Sequence, residues 1–176
     1  RVEHWSGLEK SRASTVEPGR LPEWIKYGAS AGASADLTGS RRTLDLITTL
    51  DLADPLPGDN PIPFTELVSL GGNQPLRAFR AGRLLDRSAT SATLTYRWPI
   101  WVYLDGAVHY AVGNVFGPHL DGFRPGLLRS SFGIGIDSAG SSDQPFEVLL
   151  AFGTAPFEEG ARVESLRFVF GTRSDF

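Results

Sequence analysis

From Ile25 to Leu37 every odd position is apolar: Ile25, Tyr27, Ala29, Ala31, Ala33, Ala35 and Leu37. Every even position between them is Lys, Gly, Ser or Asp. A repeat of two is that of a β-strand, whose successive side chains point to opposite faces. The repeat returns along most of the chain and predicts about eight strands, near 25–37, 44–52, 64–70, 92–104, 107–116, 128–137, 146–153 and 166–176. No segment carries the 3.6-residue repeat of an amphipathic helix at useful length. The fold class is therefore all-β and antiparallel, and 20 Gly and 12 Pro supply its turns.

The connections differ in length. Thr38–Arg41 predicts a short turn, and Asp105-Gly106 is a tight-hairpin signal. A Pro/Gly/Asp-rich loop spans about 54–63. A longer one, about 71–90, holds Gly71, Gly72, Arg77, Arg80, Gly82, Arg83 and Arg87. Residues 1–22 read as an irregular segment and 23–176 as one domain. Methionine is absent, so Arg1 does not read as a translation start, and further sequence is expected upstream.

Composition removes several functions. With 17 Lys+Arg against 20 Asp+Glu the net charge is −3, so no nucleic-acid partner is expected. Cysteine is absent, which excludes disulfides, thiolate metal sites and thiol nucleophiles. His4, His109 and His119 have no metal-ligand spacing. Ser131 and His109 fall on the polar face of adjacent predicted strands, the one pairing that would serve a barrel lipid hydrolase. Gly133-Ile134-Gly135-Ile136 sits inside a strand, with no following helix to hold a phosphate. No enzymatic chemistry, cofactor or metal is expected.

Eight such strands fit either a soluble barrel or sandwich or a membrane barrel. The polar face favours the membrane barrel. It carries Gly, Ser and Ala interleaved with isolated Arg, Asp and Glu, which suits a crowded lumen of paired charges better than a solvated surface. The apolar face carries Tyr96, Trp98, Tyr110, Phe116, Phe132, Phe146, Phe152, Phe168, Phe170 and Phe176 among large aliphatics, as a lipid-facing band with aromatic girdles does. About ten residues per strand is the length that crosses a bilayer at a tilt. Of the 17 basic residues only Lys10 and Lys26 are lysine, so the rest bring the planar fork that pairs with carboxylates.

Four segments carry a resemblance, in order, over about 65–176. Leu70-Gly71-Gly72-Asn73-Gln74-Pro75-Leu76-Arg77-Ala78-Phe79-Arg80-Ala81-Gly82-Arg83 is similar to the loop that folds back into the barrel in the bacterial surface-antigen superfamily of outer-membrane assembly factors. Its Leu76-Arg77-Ala78-Phe79 stands where the family has Val/Leu-Arg-Gly-Phe/Tyr. Tyr96-Arg97-Trp98-Pro99-Ile100 and Val112-Gly113-Asn114-Val115-Phe116 resemble two of the strands that follow. The end of the chain, with Phe168, Phe170 and Phe176, resembles the terminal assembly signal of outer-membrane barrels.

The resemblance implies a transmembrane β-barrel in the bacterial outer membrane, of which this chain would be the C-terminal half. It implies a task of inserting or exporting other proteins without chemistry. The competing readings are a passive pore or structural barrel and, further off, the barrel lipid hydrolase. Implied partners are the lipid bilayer and lipopolysaccharide, client outer-membrane or secreted proteins, and periplasmic accessory proteins. The loop residues Leu76, Arg77, Ala78, Phe79, Arg80, Gly82 and Arg83 would pack in the lumen. Asp45, Asp51, Glu66, Arg97 and Asp137 are the wall residues they would meet. Two positions depart from the family. Ala78 replaces the tetrad's glycine, and Ala111 replaces an acid two residues before Gly113, so Arg77 needs another acceptor.

Overall fold

The structure is a computed structural model that describes residues 2–5, 24–37, 39–56, 62–73, 75–138 and 146–171. Among these residues there are ten strands: β1 (Val2–Trp5), β2 (Trp24–Asp36), β3 (Thr43–Pro55), β4 (Val68–Leu70), β5 (Leu84–Asp86), β6 (Ser88–Trp101), β7 (Leu104–Phe116), β8 (Arg129–Ser138), β9 (Glu147–Thr154) and β10 (Val163–Gly171). Eight form one antiparallel sheet in the order β1-β2-β3-β6-β7-β8-β9-β10, while β4 and β5 pair only with each other. The path from β3 to β6 thus leaves the sheet, makes a small hairpin and returns. As described, the sheet is open, with β1 and β10 as its outer strands.

Register makes the two faces continuous. Ala33, Leu46, Leu94, Tyr110, Phe132, Phe152 and Leu166 are successive partners across seven strands. One residue along, Gly32, Ile47, Thr93, Ala111, Ser131, Gly153 and Ser165 form a parallel row. Because the side-chain period is two, the first row lies on one face and the second on the other.

The apolar row is the exposed one. Leu94 is 40% exposed, Phe132 41% and Leu166 63%, whereas Ala111 and Ser131 are 0% exposed. This inverts the usual antiparallel sheet, which packs its apolar face and wets its polar one. The outward rings stack on one another, Tyr96 on Trp98 at 5.6 Å and Phe132 on Phe152 at 5.2 Å between centroids. The hydrophobic core lies on the other side, between the sheet and the excursion that holds β4 and β5. Leu70, Leu76, Ala78, Phe79 and Leu84 pack there against Ala89, Leu149 and Ala151.

Four local expectations are corrected. The stretch 64–70 is a 3-10 turn, Phe64–Glu66, followed by the three residues of β4. The long loop ends at Arg83, just before β5, instead of running to 90. Val2–Trp5, inside the segment read as irregular, pair with β2. Asp105-Gly106 is not the hairpin turn: both residues lie in β7, opposite Pro99 and Trp98, and the chain reverses at Val102-Tyr103 after an irregularity between Pro99 and Trp101. Gly106 is needed for a different reason. A Cβ there would collide with the Trp98 indole, which lies across it. Asp105 accepts a hydrogen bond from the Arg41 guanidinium, which also donates to the carbonyls of Trp101 and Val102 and so ties the turn before β3 to this hairpin.

Candidate functional site

The segment 71–83 folds back over the polar face of the sheet. Two glycines start the reversal. Gly71 (φ +110°) and Gly72 (φ +85°) hold left-handed backbone that other residues adopt only with strain. Gly71 also has no room for a side chain, since a Cβ would come 2.8 Å from the carbonyl oxygen of Arg80. The Gly72 amide donates to Phe79 O at 2.8 Å and closes the loop on itself.

Its tip is then pinned group by group. Leu76, Ala78 and Phe79 are fully buried. The Ala78 amide donates to Ser131 Oγ of β8 (3.0 Å), and the Ala78 carbonyl accepts from Ser165 Oγ of β10 (2.5 Å). His109 of β7 places Nε2 3.0 Å from the Pro75 carbonyl. Arg167 of β10 donates from Nη1 to the carbonyls of Gly72 (2.7 Å), Phe79 (2.9 Å) and Arg77 (3.0 Å). Buried backbone groups must be paired, and here the inner wall of the sheet pairs them.

Arg77 finds its acceptor in Glu147, at the start of β9. None of the proposed wall partners takes that place. Asp45 and Asp137 both accept from Arg97, which bridges β3 and β8 from β6 (3.2 Å to Asp137). Glu66 pairs with Lys26 at 3.0 Å. Asp51 packs over Gly28, where a Cβ would overlap its carboxylate. Asp45, Asp51, Arg97 and Asp137 do line the polar face, and Asp137, bonded to Arg97, stands directly across from Glu147 in the register of β8 on β9.

The other loop arginines divide. Arg83 reaches Glu164 of β10 (3.2 Å), which also accepts from Arg129 (2.8 Å), and its guanidinium lies 5.4 Å from the centre of the Phe79 ring. Arg87 pairs with Asp54 at 3.1 Å, in a rim cluster with Tyr27 and His119. Arg80 and Gly82 are exposed at the loop's outer turn.

Gly153 lies against the Ala78 methyl. A Cβ on Gly153 would come 3.0 Å from that methyl and 2.7 Å from the Phe79 ring. Ala111 carries no acid, and the carboxylate that Arg77 meets is Glu147, two strands away.

Ser131 and His109 are both engaged with the loop backbone, and their cross-strand partners are Ala111 and Gly133 respectively. Among the described residues no group of three His, Asp or Glu stands close enough to hold a metal ion. Phe168 and Phe170 project from the exposed face of β10, while Phe176 lies outside the described residues. Sequence reasoning missed Glu147, Gly153, Ser165 and Arg167. The inward parity of Glu147, Gly153 and Arg167 was visible, while Ser165 fell before the strand expected at 166–176; their partners lie 70 or more residues away.

No protein-family model matches the chain, and no curated protein matches it at a significant level.

Proposed function

We propose that this chain forms part of a transmembrane β-barrel of the bacterial outer membrane, the barrel of a factor that inserts or exports other proteins without covalent chemistry. The observation that carries the reading is the inversion of the sheet: large apolar side chains on the face left bare, small and charged residues on the face covered by the chain's own loop. A bare apolar sheet face is at home in lipid, and a wall of Ser, Gly and paired charges is at home around a filled lumen. No helix among the described residues is long and apolar enough to cross a membrane, which says nothing of a barrel that crosses with strands.

The size of the covered segment supports a barrel larger than this sheet. An eight-stranded barrel has an interior just wide enough for side chains. Here the inner face holds two short strands and a backbone loop as well. The sheet therefore reads as the C-terminal half of a wider barrel, with β1 and β10 pairing to other strands. The assembly role rests on the four-segment resemblance and on the clasped loop. A polypeptide plug held by a largely buried ion pair and by hydrogen bonds to its backbone also argues against a freely conducting pore.

The test uses the full native chain folded into phospholipid vesicles. Unfolded outer-membrane barrel added outside should insert faster than into empty vesicles. A steady ionic conductance with no gain in insertion rate would replace this reading with the passive pore.

A further inference from the structure

The strand most engaged with the loop is β10, one of the two outer strands of the sheet as described. Ser165, Arg167 and Val169 are successive inward residues of β10. Ser165 and Arg167 bond to the loop, and Val169 packs on the core cluster that contains Leu76 and Phe79. Glu164 adds the pair with Arg83. Along its other side β10 is held by a ladder to β9 that is irregular between Val163 and Ser165. Its outward residues Leu166, Phe168 and Phe170 are exposed.

Arg167 is the centre of this contact. Among the described residues it has no carboxylate partner; its charge rests on the carbonyl dipoles of Gly72, Arg77 and Phe79. If β10 moved away alone, the carbonyls of Gly72 and Arg77 would lose their donor, and that of Phe79 would keep only the Gly72 amide. If the loop moved away alone, a half-buried guanidinium would lose its acceptors. Either leaves polar groups unpaired beneath a covered face, which is the costly outcome. Loop and strand therefore favour moving together.

We propose that Arg167 is a positioning residue that couples the loop to the edge of the sheet, so that β10 parts from β9 only when the loop leaves the wall. The coupling rests on these contacts alone. Its use, offering the β10 edge to an incoming strand, rests on the proposed function.

Amide hydrogen exchange on the native chain, in the medium that keeps it folded and monodisperse, reads the coupling. Arg167→Gln should speed exchange about tenfold or more in two places at once, the loop amides of 71–83 and the β10 amides bonded to β9, with one shared opening free energy. Arg167→Lys should recover much of the protection, because an ammonium group also offers three donors. Ser34→Ala, which removes only a hydroxyl bonded to Asp45, should move neither region. Linkage is reciprocal, so Phe79→Leu should loosen β10 from the loop side, and it serves as the test if Arg167→Gln does not fold. Faster exchange in the loop with β10 unchanged, or no change in either, overturns the proposal. Joint exchange in a protein that fails the vesicle insertion assay keeps the coupling and removes the assembly role.

Discussion

Arg77 and Glu147 meet with side chains only 12% and 15% exposed, so water reaches little of either. Removing one partner of such a pair strands the other charge. Arg77→Ala should cost about 3–5 kcal/mol, read as a lower temperature for the heat-modifiable shift in gel mobility. Arg77→Lys should recover little, since a flexible point charge replaces a rigid planar fork. An unchanged melting profile for both variants would mean that the loop is held without this ion pair, by its apolar contacts and its backbone hydrogen bonds. At this scale the sequence was half legible. The alternation of 146–153 put Glu147 on the inward face, opposite to Phe146 and Val148. The choice among inward carboxylates depends on the register of β8 on β9 and on where the loop folds back, and neither is written locally.

The hairpin of β6 and β7 shows how an element can be read correctly and its turn misplaced. The alternation of Leu94, Tyr96 and Trp98 against Val108, Tyr110 and Val112 fixed both strands and the shared face. Asp105-Gly106 has the composition of a two-residue turn, yet the glycine is spent on a cross-strand contact, clearing space for the Trp98 ring. That requirement comes from a residue eight positions earlier, which a turn rule does not consult. Gly106→Ala should displace the indole and cost about 1–3 kcal/mol as an overpacked site. The near-ultraviolet circular dichroism of the stacked Tyr96–Trp98 pair should weaken with it. A variant with the parent's spectrum and stability would show that the ring does not rest on Gly106. The short 64–70 segment failed for a related reason: Phe64–Glu66 coil into a 3-10 turn, and only Val68–Leu70 find a partner strand, β5.

Across the whole molecule, fold class and the division into faces came through from the period-two pattern, because one residue of slip would have turned every row over. Which face is dry is a property of the assembled sheet. It is decided here by a loop that buries the polar side and leaves Leu94, Tyr110, Phe132, Ile134, Leu150, Leu166, Phe168 and Phe170 bare. Between Leu44 and Leu52 the apolar repeat of β3 runs about 26 Å along the strand, at about 3.3 Å per residue. Tilted by about 40°, that is about 20 Å of height, close to the apolar band of a membrane barrel.

The central claim, that the bare face meets lipid, is tested most directly by single nitroxide labels, since the chain has no native cysteine to interfere. Labels at Phe132, Ile134, Leu150 and Phe168, on the folded chain in phospholipid vesicles, should collide readily with oxygen and poorly with a water-soluble nickel chelate. Labels at the covered positions Ser91 and Ser131 should be shielded from both. Collision with the nickel chelate at the outward positions, or a folded, monodisperse chain in plain buffer with those labels wet, would contradict the account.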